Sequence, residues 1–188
     1  MASTIDQTLV GELYDFLRAS RWADAVTFYQ DSLTREERSR AEFRLPYAIA
    51  LIREGKESSG VKLIDRGLLA VSGARADLRR WAVPYLVDNG SLELAVQLLD
   101  RMIEANPDVE DLRLRASLRG RLKRFDGAID DARKVAEALP DDVHAQRACL
   151  QLFLQGGLIE EAGAFAQSIG MAAARHPQLA NVTLLALT

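Results

Sequence analysis

This 188-residue chain is poor in several things, and each scarcity excludes something. Cys149 is the only cysteine, so no internal disulfide can form and nothing points to an oxidising compartment. His144 and His176 are the only histidines, which rules out a histidine-rich metal site. Aromatic residues make up only 6%, and glycine and proline are sparse and stand between periodic segments, without a low-complexity tract. No apolar run approaches the roughly 18 residues of a membrane span. The start, Met1 to Asp6, lacks a charged-then-apolar leader, so the expected location is cytoplasmic. Positive charge is not in excess. The formal net charge is -3 and the pI about 5.5, which weighs against a general nucleic-acid coat. Catalytic signatures are missing too. Gly55-Lys56-Glu57-Ser58 lacks the upstream glycine of a phosphate loop, and no G-x-S-x-G elbow occurs. We therefore expect no catalytic residue, no cofactor and no metal, and a chain that is not itself an enzyme.

What is present is alanine, leucine and arginine at helical spacing. Lys56, Lys62, Lys123 and Lys134 are the only lysines among 24 basic residues. Heavy use of Arg and Ala is associated with GC-rich coding sequence and so with a bacterial source. Between Pro107 and Pro140, two helical patterns meet at a short polar turn. Val109, Leu112, Ala116 and Leu118 form the first; Phe125, Ala128, Ile129, Ala132, Val135 and Ala136 share one face of the second. Proline closes one helix and frees the next segment to start another. The result is a helix–turn–helix unit of about 34 residues, a length typical of helical repeats.

The unit recurs. A small residue early in each second helix marks it: Ala25, Gly60, Ala95, Ala128 and Ala162, separated by 35, 35, 33 and 34 residues. Two helices of a hairpin cross closely there, so the side chain must be small. Other columns keep phase. Three before the marker stand Trp22, Glu57, Leu92, Phe125 and Ile159; one after it, Val26, Val61, Val96, Ile129 and Gly163; four after it, Tyr29, Ile64, Leu99, Ala132 and Ala166. We expect these columns to face inward. Five hairpins follow. First helices are predicted near 4–19, 37–54, 75–88, 108–122 and 142–155, and second helices near 22–33, 57–71, 91–105, 125–138 and 158–175.

Local signals support the boundaries. Asn89-Gly90 and Gly156-Gly157 read as helix stops. Thr34 with Glu37 reads as a capping box, so the second repeat starts early. Asp108 and Asp141 are placed to cap the helices after their prolines, and capping explains Asp141, Asp142 and His144 better than a metal site does. Pro46 and Pro84 fall inside first helices, where a proline removes a backbone donor and bends or breaks the helix. A kink absorbed by the array is favoured over an opened groove. Cys149, Trp22 and Trp81 are read as packing residues.

The pattern resembles the tetratricopeptide repeat, a 34-residue helix–turn–helix unit with a small residue at the marker, a large apolar residue before it and a proline at its end. The marker matches in all five repeats and the proline in two, Pro107 and Pro140. The usual first-helix tryptophan and glycine are absent; those columns hold Leu9, Arg44, Arg79, Leu112 and Gln146, then Leu13, Ala48, Val83, Ala116 and Leu150. The tyrosine column reads Phe16, Leu51, Leu86, Arg119 and Phe153. The resemblance implies an all-α right-handed superhelix, a single solenoid domain over 1–188, with repeats at 4–36, 37–73, 74–107, 108–140 and 141–177 and a partial sixth at 178–188. The related pentatricopeptide class reads RNA, but the acidic balance and the varying period argue against it.

The resemblance also implies that first helices line a concave groove. With the marker set at position 20, Arg80, Arg113 and Arg147 share position 5, and Arg18, Arg53 and Arg121 share position 13. Eight residues is close to two helical turns, so both rows occupy one face. Guanidinium groups hold carboxylates in pairs of hydrogen bonds, so the expected ligand is an acidic peptide or one with a free carboxylate. The bland alternative is a solvated face neutralised by Asp77, Asp88 and Glu110. The expected function is a non-catalytic scaffold that binds a protein or peptide segment. Its alternative is the N-terminal repeat part of a longer enzyme, such as a glycosyltransferase or other transferase, that recruits substrate or mediates oligomerisation. Residues 178–188 read as the first helix of a sixth repeat whose apolar end is expected to promote self-association.

Overall fold

The computed structural model describes residues 4–169, and every regular element among them is helical. The chain divides into two compact units, Met1–Ala105 and Asn106–Thr188. The sixth-repeat segment and the end of the last helix lie outside the described residues.

The first unit opens with a hairpin of α1 (Thr4–Arg18) and α2 (Trp22–Asp31). A short α3 (Arg35–Ser39) precedes α4 (Ala41–Arg53), which pairs with α5 (Glu57–Leu63) and α6 (Arg66–Leu69). Next come α7 (Ala74–Asp77), a π-helical turn (Leu78–Ala82) and α8 (Val83–Asp88), which pair with α9 (Leu92–Ala105). The second unit holds α10 (Val109–Arg121), α11 (Phe125–Ala138), α12 (Val143–Gln155) and α13 (Ile159–Ser168).

The five hairpin turns share one backbone design. Ser20, Gly55, Gly90, Lys123 and Gly157 all have φ between 56° and 78°. Each lies five residues before a marker. Around each, one amide bonds back three residues (Ser20 N–H to Leu17 O) and the next bonds back five (Arg21 N–H to Phe16 O). The same two bonds recur at Gly55/Lys56, Gly90/Ser91, Lys123/Arg124 and Gly157/Leu158. This double closure satisfies the last carbonyls of the first helix and requires a left-handed residue between. Glycine suits it; Ser20 and Lys123 hold it against the steric preference of a side chain.

All five markers are buried. Gly60 shows why they are small. A Cβ there would lie 2.5 Å from Ile52 Cγ1 and 2.6 Å from the Ala48 carbonyl oxygen. The column four after the marker is buried throughout, from Tyr29 to Ala166. The column three before it is only half-buried, and Ile159 is 50% exposed. That column lies at the hairpin's rim, where a polar residue is tolerated. Glu57 there accepts a hydrogen bond from the Ser91 hydroxyl.

Several expectations need correction. The second helix of the second repeat is broken: Ile64 and Asp65 are extended, and the Asp65 carboxylate caps α6 by accepting from Leu68 N–H at 3.0 Å. The break leaves the carbonyls at the end of α5 short of helical donors, with Val61 O keeping only the Ile64 amide three residues on. Arg101 of α9 fills the gap, donating to Val61 O at 2.8 Å and Ile64 O at 2.6 Å. The capping box at Thr34 is present, but it starts the separate α3, which ends at the extended Arg40. Asp108 caps α10 as expected, whereas α12 is capped by Asp142 rather than Asp141. The prolines do not break their helices. Pro46 is buried inside a continuous α4. Pro84 is preceded by the π-helical turn, in which Val83 N–H bonds to Leu78 O, five residues back. This wider turn relieves the register that a proline cannot complete.

Cys149 is fully buried among Leu150, Leu152 and Phe153, and burial pushes its thiol up to about 12. It is a core residue with an inert thiol. Among the described residues, no helix is long and apolar enough to cross a membrane.

Candidate functional site

The three helices α10, α11 and α12 are joined by short turns, and α11 packs against both neighbours. Short connections make neighbours antiparallel, so α10 and α12 run in the same direction. Between them lies a cavity of about 350 Å³. Arg113, Ala116, Ser117, Gly120 and Arg121 of α10 form one wall, and Ala145, Ala148, Gln151, Leu152 and Gln155 of α12 the other. Ala132 and Val135 of α11 close the floor.

The cavity exists because its side chains are small. Ala132 occupies a column that holds Tyr29, Ile64 and Leu99 in the first three repeats. Gly120 stands where Leu17, Ile52 and Val87 stand, and Ser117 where Tyr14, Ile49 and Pro84 stand. Ala148 shares its column with Trp81. Side-chain volume present in the earlier repeats is missing here.

Charges distribute unevenly along the groove. At the helix N-termini, Arg113 is engaged by Asp142 at 2.8 Å and by Glu110 at 3.6 Å. Burial pushes the Asp142 carboxyl up, but the Arg113 hydrogen bond and the N–H groups of Ala145 and His144 outweigh it and hold it below the usual range. At the turn end, Arg121 and Lys123 are exposed. Neither makes an ion pair among the described residues.

The predicted arginines meet different fates. Arg113 and Arg121 line the cavity; Arg147 does not, and its half-buried side chain keeps a buried Nε without a hydrogen-bond partner. In the first unit, Arg18 pairs with Asp15 at 2.6 Å on its own helix. The Arg53 guanidinium lies over the Trp22 ring at 4.5 Å and over the Tyr85 ring at 4.8 Å, so cation–π contact holds it in place of a carboxylate. Arg80 is exposed and lies over its neighbour Trp81 at 5.1 Å. Trp81 in turn meets Tyr14, whose hydroxyl donates to Asp77 at 2.9 Å. Burial, then the Asp77 charge and hydrogen bond, push the Tyr14 phenol upward.

One cluster escaped the sequence reading. Asp131 is 1% exposed and accepts from Arg115 Nε and Nη2 at 2.8 and 2.7 Å, and from Arg119 Nη1 at 3.0 Å. It ties α10 to α11 behind the cavity. A signal was there to read. The column of Asp131 holds Phe28, Leu63, Leu98 and Phe165 elsewhere, and that of Arg119 holds Phe16, Leu51, Leu86 and Phe153. The aromatic members touch across their own hairpins, Phe16 to Phe28 at 5.7 Å and Phe153 to Phe165 at 5.9 Å. Opposite charges at two apolar columns of one repeat therefore mark a buried ion pair in place of a ring pair.

No protein-family model matches the sequence, and no curated protein matches it. Solved structures do. MamA from MSR-1 superposes with a TM-score of 0.51 at 23% identity, over 92% of this chain and 99% of that one. MamA from residue 41 to its end, from Desulfovibrio magneticus RS-1, gives a TM-score of 0.56 at 16% identity, over 94% and 99%. The chain has a divergent, all-α tetratricopeptide-like helical-repeat fold.

Proposed function

We propose that the chain is a non-catalytic interaction module that holds a segment of a partner protein in the groove between α10 and α12. The observation that supports this is the cavity itself: an apolar floor of Ala132 and Val135 between two rows of polar side chains. On α10, Arg113, Ser117 and Arg121 are spaced four residues apart, so they stand above one another on one face. On α12, Gln151 and Gln155 do the same. Such a surface buries apolar side chains at its centre and meets a main chain at its rim, as helical grooves for peptides do.

Of the six arginines first considered, Arg121 and Arg113 are the ones this reading retains for an acidic partner. Arg80, Arg147, Arg53 and Arg18 stay outside the groove proposed. Serving a longer enzyme as its recruiting element would use the same groove. Self-association through residues 178–188 concerns a segment outside the described residues.

The test is a selection of random dodecapeptides displayed on phage, carried out on the whole chain and repeated on Ala148→Trp. Ala148 is an exposed wall residue, and a tryptophan there copies the residue of the third repeat. Selected peptides should bind the parent chain and lose at least about tenfold in affinity on the variant, with helicity unchanged by circular dichroism. Peptides that bind both proteins equally would overturn the groove.

A further inference from the structure

We infer that the groove has a direction: it takes one bulky apolar side chain over its alanine floor and an acidic residue at its turn end. The inference rests on the groove reading and specifies the partner. Its first support is the missing volume. The columns of Ala132, Gly120 and Ser117 carry tyrosine, leucine, isoleucine, valine or proline in the first three repeats, and that of Ala148 carries Gly11, Pro46, Trp81 and Leu114. A bulky apolar partner side chain restores what this repeat omits, against the carbon surfaces of Ala116, Ala132, Val135, Ala145 and Leu152.

The second support is charge complementarity. Since α10 and α12 are parallel, both N-termini lie at one end of the groove. That end holds Glu110, Asp141 and Asp142 around Arg113, which Glu110 and Asp142 already engage. It repels an acidic residue. The opposite end holds Arg121 on the wall and Lys123 in the turn, both exposed. Neither makes an ion pair among the described residues, although Asp126, Glu160 and Glu161 begin the helices that leave the same end. A carboxylate placed at the turn end gains a charge-assisted bond to Arg121 without displacing an existing partner. The Gln151 and Gln155 amides, which both donate and accept, are suited to the partner's main chain between the two anchors.

The experiment uses the same phage-displayed dodecapeptide library on the intact chain, on Arg121→Glu and on Lys134→Glu. The last makes the same charge change on an exposed residue of α11 outside the cavity lining. The parent should enrich peptides with a Phe, Tyr, Trp, Leu or Ile and an Asp or Glu at a fixed short spacing. Arg121→Glu should replace that acid by Lys or Arg and weaken the parent's best synthetic peptide by about tenfold or more in fluorescence polarisation. Lys134→Glu should keep the parent's preference. Peptides that depend on Ala148 but show no acidic preference, or keep it in Arg121→Glu, or lose it equally in Lys134→Glu, overturn the direction and leave the groove standing. Peptides indifferent to Ala148→Trp, or no enrichment at all, overturn both.

Discussion

The first-helix faces of the two units are built from the same columns but filled in opposite ways. In the first unit, Tyr14 meets Trp81, Arg53 lies over Trp22 and Tyr85, and Leu17, Ile52 and Leu99 are buried. In the second, Ala116, Ser117, Gly120, Ala132, Ala145 and Ala148 leave a cavity of about 350 Å³. The hairpin turns do not differ, since the same two hydrogen bonds close every one. The lesson is that this fold sets where a groove can lie, while side-chain volume at a few columns decides whether one opens.

The hairpin beneath the cavity gives the sharpest test of that contrast. The first repeat joins its helices through Phe16 and Phe28; the fourth uses Arg119 and Arg115 on Asp131. Asp131→Ala removes the carboxylate that two mostly buried guanidinium groups share and should destabilise the chain by about 3–5 kcal/mol, read by urea unfolding. Installing the third repeat's solution (Leu86, Leu98 and Ala82), Arg119→Leu with Asp131→Leu and Arg115→Ala, should recover most of that loss. A triple variant as unstable as Asp131→Ala would show that the two kinds of joint are not interchangeable.

A smaller loss is expected at the marker of the second repeat. Gly60→Ala places a Cβ against backbone at Ala48 and against the root of Ile52, so overpacking should cost about 1–3 kcal/mol. Ala128→Gly in the fourth repeat should cost only about 1 kcal/mol, through helix propensity. Equal midpoints for Gly60→Ala and the parent in thermal unfolding would refute the close crossing.

Acid should probe both units through two caps. Asp65 is held below the usual carboxylate range by the Leu68 amide, against its burial and with help from Arg44; Asp142 is held there by Arg113 and two amides. A carboxyl whose folded pKa is depressed stabilises the fold above its unfolded value, roughly 3.9, and loses that contribution as pH falls through the folded value. Asp65→Asn and Asp142→Asn should each flatten the fall in stability below about pH 4. An unaltered acid limb in both would contradict the two caps.

The smallest effect is a gain. Lys123 holds the left-handed turn position that glycine holds at Gly55, Gly90 and Gly157. Lys123→Gly should stabilise by up to about 1 kcal/mol, and Ser20→Gly by a similar amount, because the steric penalty removed exceeds the chain entropy added. A loss of stability in both would mean that those side chains make contacts the turn needs.

Spacing within 35 residues was enough to set the repeat, its five markers and its five turns, because helix periodicity and hairpin closure are local. The sequence also exposed Cys149 as core and Thr34–Glu37 as a cap. Where it misjudged, a distant partner intervened. The single second helix expected at 57–71 breaks because Asp65 caps a new helix and Arg101, some 40 residues on, satisfies the old one. The arginine rows were legible as rows, but a guanidinium takes whichever partner folding brings within reach. For Arg53 that is two rings, for Arg113 two acids, and for Arg115 and Arg119 one buried carboxylate. These pairings and the open groove emerge in three dimensions alone, because both depend on side chains that meet across helices rather than along one.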